Sequence, residues 1–328
     1  MVIFKFEPLY KIRPWGGTYI KNQFNRKIEL QSSRIGESWE IVDRPRDQSF
    51  VSTGNHKGSS LRQIILNDCH GIMGPNWDPN AAFPILVKWL DCKERLSLQV
   101  HPPEEIAKQL GGQPKTENWY IANSTEKAGL FIGFKKPTDK KIFRKALQNN
   151  MAESLCFRTN SCKGDSILVE SGRIHAIDKG NLILEIQQNS DTTYRVYDWG
   201  RVDLNNKPRK LHLEQSLQSI NFKDTKPRII KHTNDLEQIE LANCENFRII
   251  KHNLKKGTKF LIKKENIECV LLHLIEGHLK IDDACIHKGE QIMSPYFSAC
   301  ELTILEDSIL LVTDHFVNQQ NLDCTLSH

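Results

Sequence analysis

The chain has 328 residues, of which 45 are Lys or Arg and 40 are Asp or Glu, giving a formal net charge of +5. This length allows one large domain or two ordinary ones, and the composition is that of a globular protein. The basic residues are mixed with acids along the chain, and no apolar run approaches the roughly 20 residues that span a bilayer. We therefore predict neither a nucleic-acid partner nor a membrane partner.

The N-terminal residues and the cysteines indicate the compartment. The first stretch, MVIFKFEPLYKIRPWGG, mixes charges into a short apolar segment and has no secretory cleavage pattern. The nine cysteines are odd in number, scattered and without a C-x-x-C pair, which argues against a disulfide framework and against a cysteine zinc site. We therefore expect a cytoplasmic protein with reduced thiols.

Short segments rich in β-branched and aromatic residues recur between positions 38 and 199, separated by Gly, Pro, Asn and Asp. In chain order they are SWEIV, FPILVKWL, RLSLQVH, NWYIA, GLFIGF, DSILVE, NLILEIQQ and TYRVYDW. Their spacing predicts an antiparallel, β-rich domain.

Helical patterns occur in fewer places. Ser60 can cap a helix over SLRQIILND, PPEEIAKQLGG begins with prolines and acids and ends on glycine, and TDKKIFRKALQNNMAESL (138–155) is the longest amphipathic candidate. The last two predict a helical insertion near 103–155 within the sheet framework.

The chain becomes polar and contains Lys-Pro pairs from about residue 205 to 235, which predicts a linker. A second β-rich run follows, with glycine-centred turns at EGH and KGE, and HLIEGHLKI (273–281) reads as a hairpin within a small sandwich or barrel. The predicted domains are therefore 1–235 and 236–328.

Two segments carry possible metal ligands. In SLQVHP, Gln99 and His101 are two residues apart, so a strand would point both side chains to the same face. A structural histidine beside a polar edge residue is the alternative. In GDSILVESGRIHAI, the spacing of glycines around His175 resembles the second signature of the cupin superfamily, and Gly172 can adopt the positive φ of a tight turn.

Glu117 in KTENWY adds an acid to this set. One carboxylate, two imidazoles and a glutamine oxygen form a mixed nitrogen and oxygen donor set that suits zinc, while manganese, cobalt or iron also fit. Such a set leaves room for water or substrate on the ion, which is typical of a catalytic metal site.

Taken in order, PLYKIRPWGG, GESWEI, FPILVKWLDCKERLSLQVHP, KTENWYI, GRIHAI and EIQQNSDTTYRVYDWGR resemble the type I mannose-6-phosphate isomerases, particularly their short bacterial form. The resemblance implies a mainly β fold, namely a cupin-type double-stranded β-helix (jelly roll) followed by a smaller, degenerate β domain without metal ligands. It also implies one Zn²⁺ per chain, with the ligands Gln99, His101, Glu117 and His175.

The resemblance further implies interconversion of mannose 6-phosphate and fructose 6-phosphate through a metal-stabilised enediolate. Arg195 matches the family's active-site arginine, and its permanent charge suits stabilisation of an oxyanion. Glu185 and Asp191 match acidic positions. Glu185, Lys115 and a water on the metal remain alternative bases. The candidate phosphate contacts are Arg201, Ser97 and Lys88.

Two other functions remain open at this point. The donor set is also typical of a metal-dependent cupin oxygenase, although the arginine and the basic phosphate candidates favour the isomerase. A non-catalytic sugar-phosphate-binding protein is the second alternative. The expected partner is a small sugar phosphate, and the chain is expected to be a monomer or homodimer. His273, His278 and His287 are expected to be structural.

Overall fold

The computed structural model describes residues 2–28, 34–202, 206–233, 236–263 and 268–316. Parts of the predicted linker lie outside these residues. The strands are β1 (Phe4–Lys5), β2 (Leu9–Gly17), β3 (Ile35–Ile41), β4 (Asp43–Arg44), β5 (Asp47–Gln48), β6 (Ile85–Cys92), β7 (Leu98–Val100), β8 (Glu117–Ser124), β9 (Gly129–Phe134), β10 (Cys156–Asn160), β11 (Ser166–Val169), β12 (His175–Ile177), β13 (Asn181–Gln188), β14 (Tyr194–Tyr197), β15 (Gln238–Asn243), β16 (Arg248–Leu254), β17 (Lys259–Ile262), β18 (Val270–Glu276), β19 (His278–Ile281), β20 (Ala284–His287), β21 (Gln291–Ser294), β22 (Cys300–Ile304) and β23 (Ser308–Asp314). The helices are α1 (Tyr19–Gln23), α2 (Leu61–Asn67), α3 (Cys69–Met73), α4 (Glu104–Leu110), α5 (Lys140–Gln148), α6 (Ala152–Leu155) and α7 (Leu213–Ser219).

The chain divides into two compact units. The first comprises 1–9, 39–87 and 233–328, and the second comprises 10–38 and 88–232. Neither unit is one contiguous segment of the chain, because two N-terminal stretches cluster with the C-terminal strands. These compact units do not test the predicted domains 1–235 and 236–328, which remain a prediction from the sequence.

The second unit is built on two sheets. One has the strand order β10-β9-β12-β7-β14 and the other the order β11-β8-β13-β6-β3-β2. Apolar side chains of both sheets, among them Trp119, Ile132 and Ile177, share one buried cluster. The opposite face of the five-stranded sheet, with Leu98 and Phe131, packs with helical residues in a second cluster. This arrangement confirms the predicted mainly β, cupin-like jelly-roll class.

The helices follow the predicted end signals with one difference. Ser60 and Gln63 form a reciprocal capping box at the start of α2, and Gly111 ends α4 in the left-handed conformation. The predicted helix over 138–155 is instead two helices, α5 and α6. Asn150 lies between them with φ +55°, a conformation that asparagine tolerates and that ends the helical path. The segment 103–155 also contains strands β8 and β9, so the predicted helical insertion is interrupted by strands of both sheets.

The C-terminal strands of the first unit, together with the N-terminal β1, also form two sheets, with the orders β1-β21-β18-β23-β16-β15 and β17-β22-β19-β20. A single apolar cluster includes residues of both sheets, which confirms a sandwich. The predicted hairpin over 273–281 is wrong, because β18 and β19 belong to different sheets. Gly277, at φ +92°, provides a turn from one sheet to the other. Among the described residues, no helix has the length and apolar content needed to cross a membrane.

Candidate metal centre and adjoining cavity

Three buried side chains of the second unit converge on one point. Ligand atoms of His101, Glu117 and His175 lie within 4.8 Å of one another. Glu117 begins β8 in one sheet, His175 begins β12 in the other, and His101 follows β7 directly. Strand β7 also places Gln99 opposite His175 in register, and Gln99 Nε2 lies 3.2 Å from His175 Nε2. The structure therefore brings together all four residues that the sequence predicts as ligands.

Backbone carbonyls orient both imidazole rings. His101 Nδ1 lies 2.9 Å from the Thr192 carbonyl oxygen, and His175 Nδ1 lies 2.8 Å from that of Arg173. Each Nδ1–H can therefore donate to its carbonyl, which leaves the lone pair of Nε2 directed at Glu117. Hydrogen bonds of this kind orient metal-binding histidines and fix their tautomer.

The donor set fits a divalent ion. Within the described part of the chain, His101 Nε2 and Glu117 Oε1 are buried atoms without a hydrogen-bond partner, and buried polar groups rarely remain unsatisfied. The Gln99 amide can present its oxygen to the same point after a half turn. Two imidazole nitrogens and a carboxylate are hard to satisfy without a cation, and they match the ligand chemistry of zinc and other first-row metals.

Burial and neighbouring charges set the protonation states. Burial and the Lys115 cation lower the pKa of His101, while burial and His101 lower the pKa of His175 to about 3. Burial alone would raise the pKa of Glu117, but the cation of Lys115 holds it well below its usual range. Neutral imidazoles beside an ionised carboxylate are the forms that bind metal.

A chain of buried ion pairs extends from the cluster. Lys115 Nζ lies 2.7 Å from Glu117 Oε2 and 3.6 Å from Glu185 Oε1. Lys88 Nζ lies 3.4 Å from the same Glu185 oxygen. Trp119 Nε1 donates to the other oxygen, Glu185 Oε2, at 3.1 Å. Burial alone would lower the pKa of Lys115, but the two carboxylates raise it above its usual range, so this amine stays protonated.

A cavity of about 500 Å³ opens beside this network. Its lining includes the predicted residues Lys88, Ser97, Gln99, Lys115, Glu185, Asp191 and Arg195. Arg195 lies opposite Gln99 on the neighbouring strand, so both side chains are on the same face of the sheet. Its Nη1 donates to the Lys210 carbonyl at 2.8 Å, whereas its buried Nε has no hydrogen-bond partner among the described residues. A cavity of this volume accommodates a small organic molecule.

One predicted residue lies elsewhere. Arg201 lines a different cavity, together with Arg95 and Trp199. Sequence reasoning missed two residues near the site. Arg209 lines the cavity with Arg195, but it belongs to a basic stretch that reads as a linker. In the sequence, Trp119 looks like an ordinary core aromatic, because its hydrogen bond is to Glu185 on the paired strand β13.

The fold and the site together define a β-sandwich protein with a buried, mixed-donor candidate metal site beside a cationic cavity. The family model for the catalytic domain of type I phosphomannose isomerase matches residues 3–144. The chain is 35% identical over 303 residues to mannose-6-phosphate isomerase ManA of Bacillus subtilis, covering 89% of this chain and 92% of that protein. It is 38% identical over 242 residues to the probable mannose-6-phosphate isomerase GmuF of the same organism, covering 73% of each.

The solved structures give the same result. The crystal structure of the mannose 6-phosphate isomerase from Bacillus subtilis superimposes with a TM-score of 0.85 at 29% identity, covering 96% of this chain and 100% of that one. The chain belongs to the type I phosphomannose isomerase family.

Proposed function

We propose that this chain is a metal-dependent aldose-ketose isomerase that interconverts mannose 6-phosphate and fructose 6-phosphate. The observation that carries the proposal is the convergence of His101, Glu117 and His175 at a cavity lined by Lys115 and Arg195. The relatives reported above bear the name of this activity. Permanent positive charge in the cavity suits a sugar phosphate, whereas oxygenase chemistry does not require it.

We propose that His101, Glu117, His175 and Gln99 hold one Zn²⁺ per chain. When bound, the ion supplies a Lewis acid that polarises a sugar oxygen. Arg195 provides a second fixed positive charge on the same face of the sheet as Gln99. A preorganised charge of this kind stabilises the oxyanion of an enediolate because it needs no reorganisation during the reaction.

Isomerisation also requires a group that moves a proton between C1 and C2 of the sugar. Lys115 is held protonated by two carboxylates, so it is suited to donate a hydrogen bond or a proton and not to accept one. Glu185 lines the cavity, and its Oε2 is held by Trp119. We therefore assign the general base to Glu185 Oε1, the oxygen that faces Lys88 and Lys115.

Two further groups are proposed to contact the phosphate. Ser97 and Lys88 both line the cavity, where Ser97 can donate from its hydroxyl and Lys88 adds positive charge. Arg201 is not included because it lines the other cavity. Cytoplasmic localisation and the monomer or homodimer state stay predictions from the sequence.

The test follows mannose 6-phosphate by NMR in deuterated water. The wild-type protein is expected to form fructose 6-phosphate and to exchange the C2 hydrogen. Chelation should abolish both processes, and added zinc should restore them. Glu185→Gln should abolish exchange while keeping bound metal. A protein that binds metal and sugar phosphate without any exchange at C2 would instead be a binding protein, and the proposal would fail.

A further inference from the structure

We infer that Arg209 binds the phosphate group of the substrate and that Asp198 holds Arg209 in place. This inference rests on the proposed function, since it names the residue that recognises the anionic end of the substrate. It differs from the sequence-based expectation, which assigned that role to Arg201.

The chain path brings Arg209 to the cavity. After β14 the chain turns back, and Val202 forms an isolated β-bridge with Pro208. His212 N then donates to the Arg195 carbonyl at 2.8 Å. The segment 208–212 therefore runs beside β14, and Arg209 lies next to Asp198.

Asp198 fixes the guanidinium. Arg209 Nε donates to Asp198 Oδ2 at 2.6 Å, and Arg209 Nη2 donates to Oδ1 of the same carboxylate. Such a two-point contact sets both the position and the plane of a guanidinium. Asp198 is only 5% exposed, and the Arg209 side chain is 15% exposed. Arg209 is therefore a preorganised cation at the cavity wall.

The site groups follow one another across the five-stranded sheet. His175, Gln99 and Arg195 occupy the neighbouring strands β12, β7 and β14 in register. Adjacent strands are about 4.8 Å apart, so roughly 10 Å separates the first backbone from the third. Arg209 lies one chain segment further out. An elongated substrate with its reacting carbons near His175 would therefore place its far end near Arg209.

The local charge favours a dianion at that end. Arg201 and Arg209 share the carboxylate of Asp198. Arg195 bonds to a backbone carbonyl, and no described residue satisfies its buried Nε. Positive charge exceeds negative charge in this group of four residues. Arg195 and Arg209 line the same cavity, and burial together with the charge of Arg209 lowers the pKa of Arg195. A phosphate carries about −1.5 to −2 charges at pH 7 and would relieve this repulsion.

The experiment compares Arg209→Gln with the control Arg144→Gln in the metal-loaded enzyme. Arg144 also forms a two-point contact with a carboxylate, that of Glu214, but it is exposed and does not line the cavity. Arg209→Gln is expected to raise KM for mannose 6-phosphate and the inhibition constant of inorganic phosphate by on the order of 10- to 100-fold, as for the loss of charge-assisted hydrogen bonds. The loss should appear in KM and in phosphate inhibition, with the metal content per chain unchanged. Arg144→Gln should leave both constants as they are.

Asp198→Asn tests the positioning role. It should weaken phosphate inhibition in the wild-type background, but it should add nothing in the Arg209→Gln background, because it acts through that side chain. A purely structural role would lower activity in both backgrounds.

An active enzyme in which Arg209→Gln leaves KM and phosphate inhibition unchanged would overturn this inference and leave the proposed function intact. The same holds if Arg201→Gln, and not Arg209→Gln, raises both constants. If the wild-type protein does not convert mannose 6-phosphate, the proposed function fails. Direct titration with inorganic phosphate then still decides whether Arg209 binds the anion.

Discussion

Replacing Lys115 with methionine should make the metal-free protein less stable and its zinc binding tighter. Lys115 Nζ contacts two carboxylates, at 2.7 Å from Glu117 and 3.6 Å from Glu185. The Lys115, Glu117 and Glu185 side chains are 5%, 0% and 6% exposed. Removing one partner of such a buried ion pair costs about 3 to 5 kcal/mol, because the remaining charge is left without compensation.

Zinc changes this cost. A zinc ion held by Glu117 would replace part of the charge that Lys115 supplies, so the loaded variant should be destabilised less than the metal-free variant. If zinc recovers about 1.4 kcal/mol of the loss, thermodynamic linkage requires roughly tenfold tighter zinc binding by the variant. Lys115 and the metal thus compete for one carboxylate.

Urea unfolding with and without a chelator measures the two stabilities, and competition against a chromophoric chelator measures the zinc affinity. Lys108→Met is the matched control, because Lys108 pairs with Glu104 on an exposed helix where both side chains are more than half exposed. That change should alter stability by less than about 1 kcal/mol. Weaker zinc binding by Lys115→Met would refute the competition between lysine and metal.

Three further outcomes are expected. The Arg195→Ala variant should keep its metal and its fold, but its kcat should fall by on the order of 100- to 1000-fold, the usual loss for one transition-state contact. A rate near that of the wild type would show that Arg195 does not stabilise the transition state. Trp119→Phe keeps the packing but removes the hydrogen-bond donor to Glu185 Oε2. The kcat should therefore fall by about 10-fold or more with little change in KM. A change in KM alone would contradict this role of Trp119. Burial lowers the pKa of the His273 imidazole from 6.5 to about 4. As the pH falls, the unfolded chain therefore binds a proton at this histidine before the folded chain does. The stability that the neutral imidazole provides above pH 6.5 is lost between pH 6.5 and 4. His273→Gln should flatten that part of the stability profile measured by urea unfolding.

Much of the geometry of the candidate metal site could be predicted from the sequence because its signals are local. Gln99 and His101 are two residues apart at a strand end, and the glycine turn before His175 determines where the next strand begins. Gly172 adopts the expected positive φ of 86°. These features depend on a few neighbouring residues, so they can be recognised without knowing how the strands pair.

The rest depends on pairing that local patterns do not encode. Arg209 reaches the cavity only because the segment 208–212 folds back along β14. The turn at Gly277 has the residues of a hairpin, yet it connects two sheets, since a positive φ is equally useful in both kinds of turn. His273 was expected to be structural, and its two ring nitrogens lie at hydrogen-bond distance from Gln291 and Thr313, residues that come together only in the folded sheet.

The most direct test of the account is a metal titration of the chelated protein, with conversion of mannose 6-phosphate followed in a coupled assay. Activity should rise in proportion to added zinc and level off at one equivalent per chain, and Glu117→Gln should show no such rise. Full activity in protein stripped of every metal ion would contradict the account.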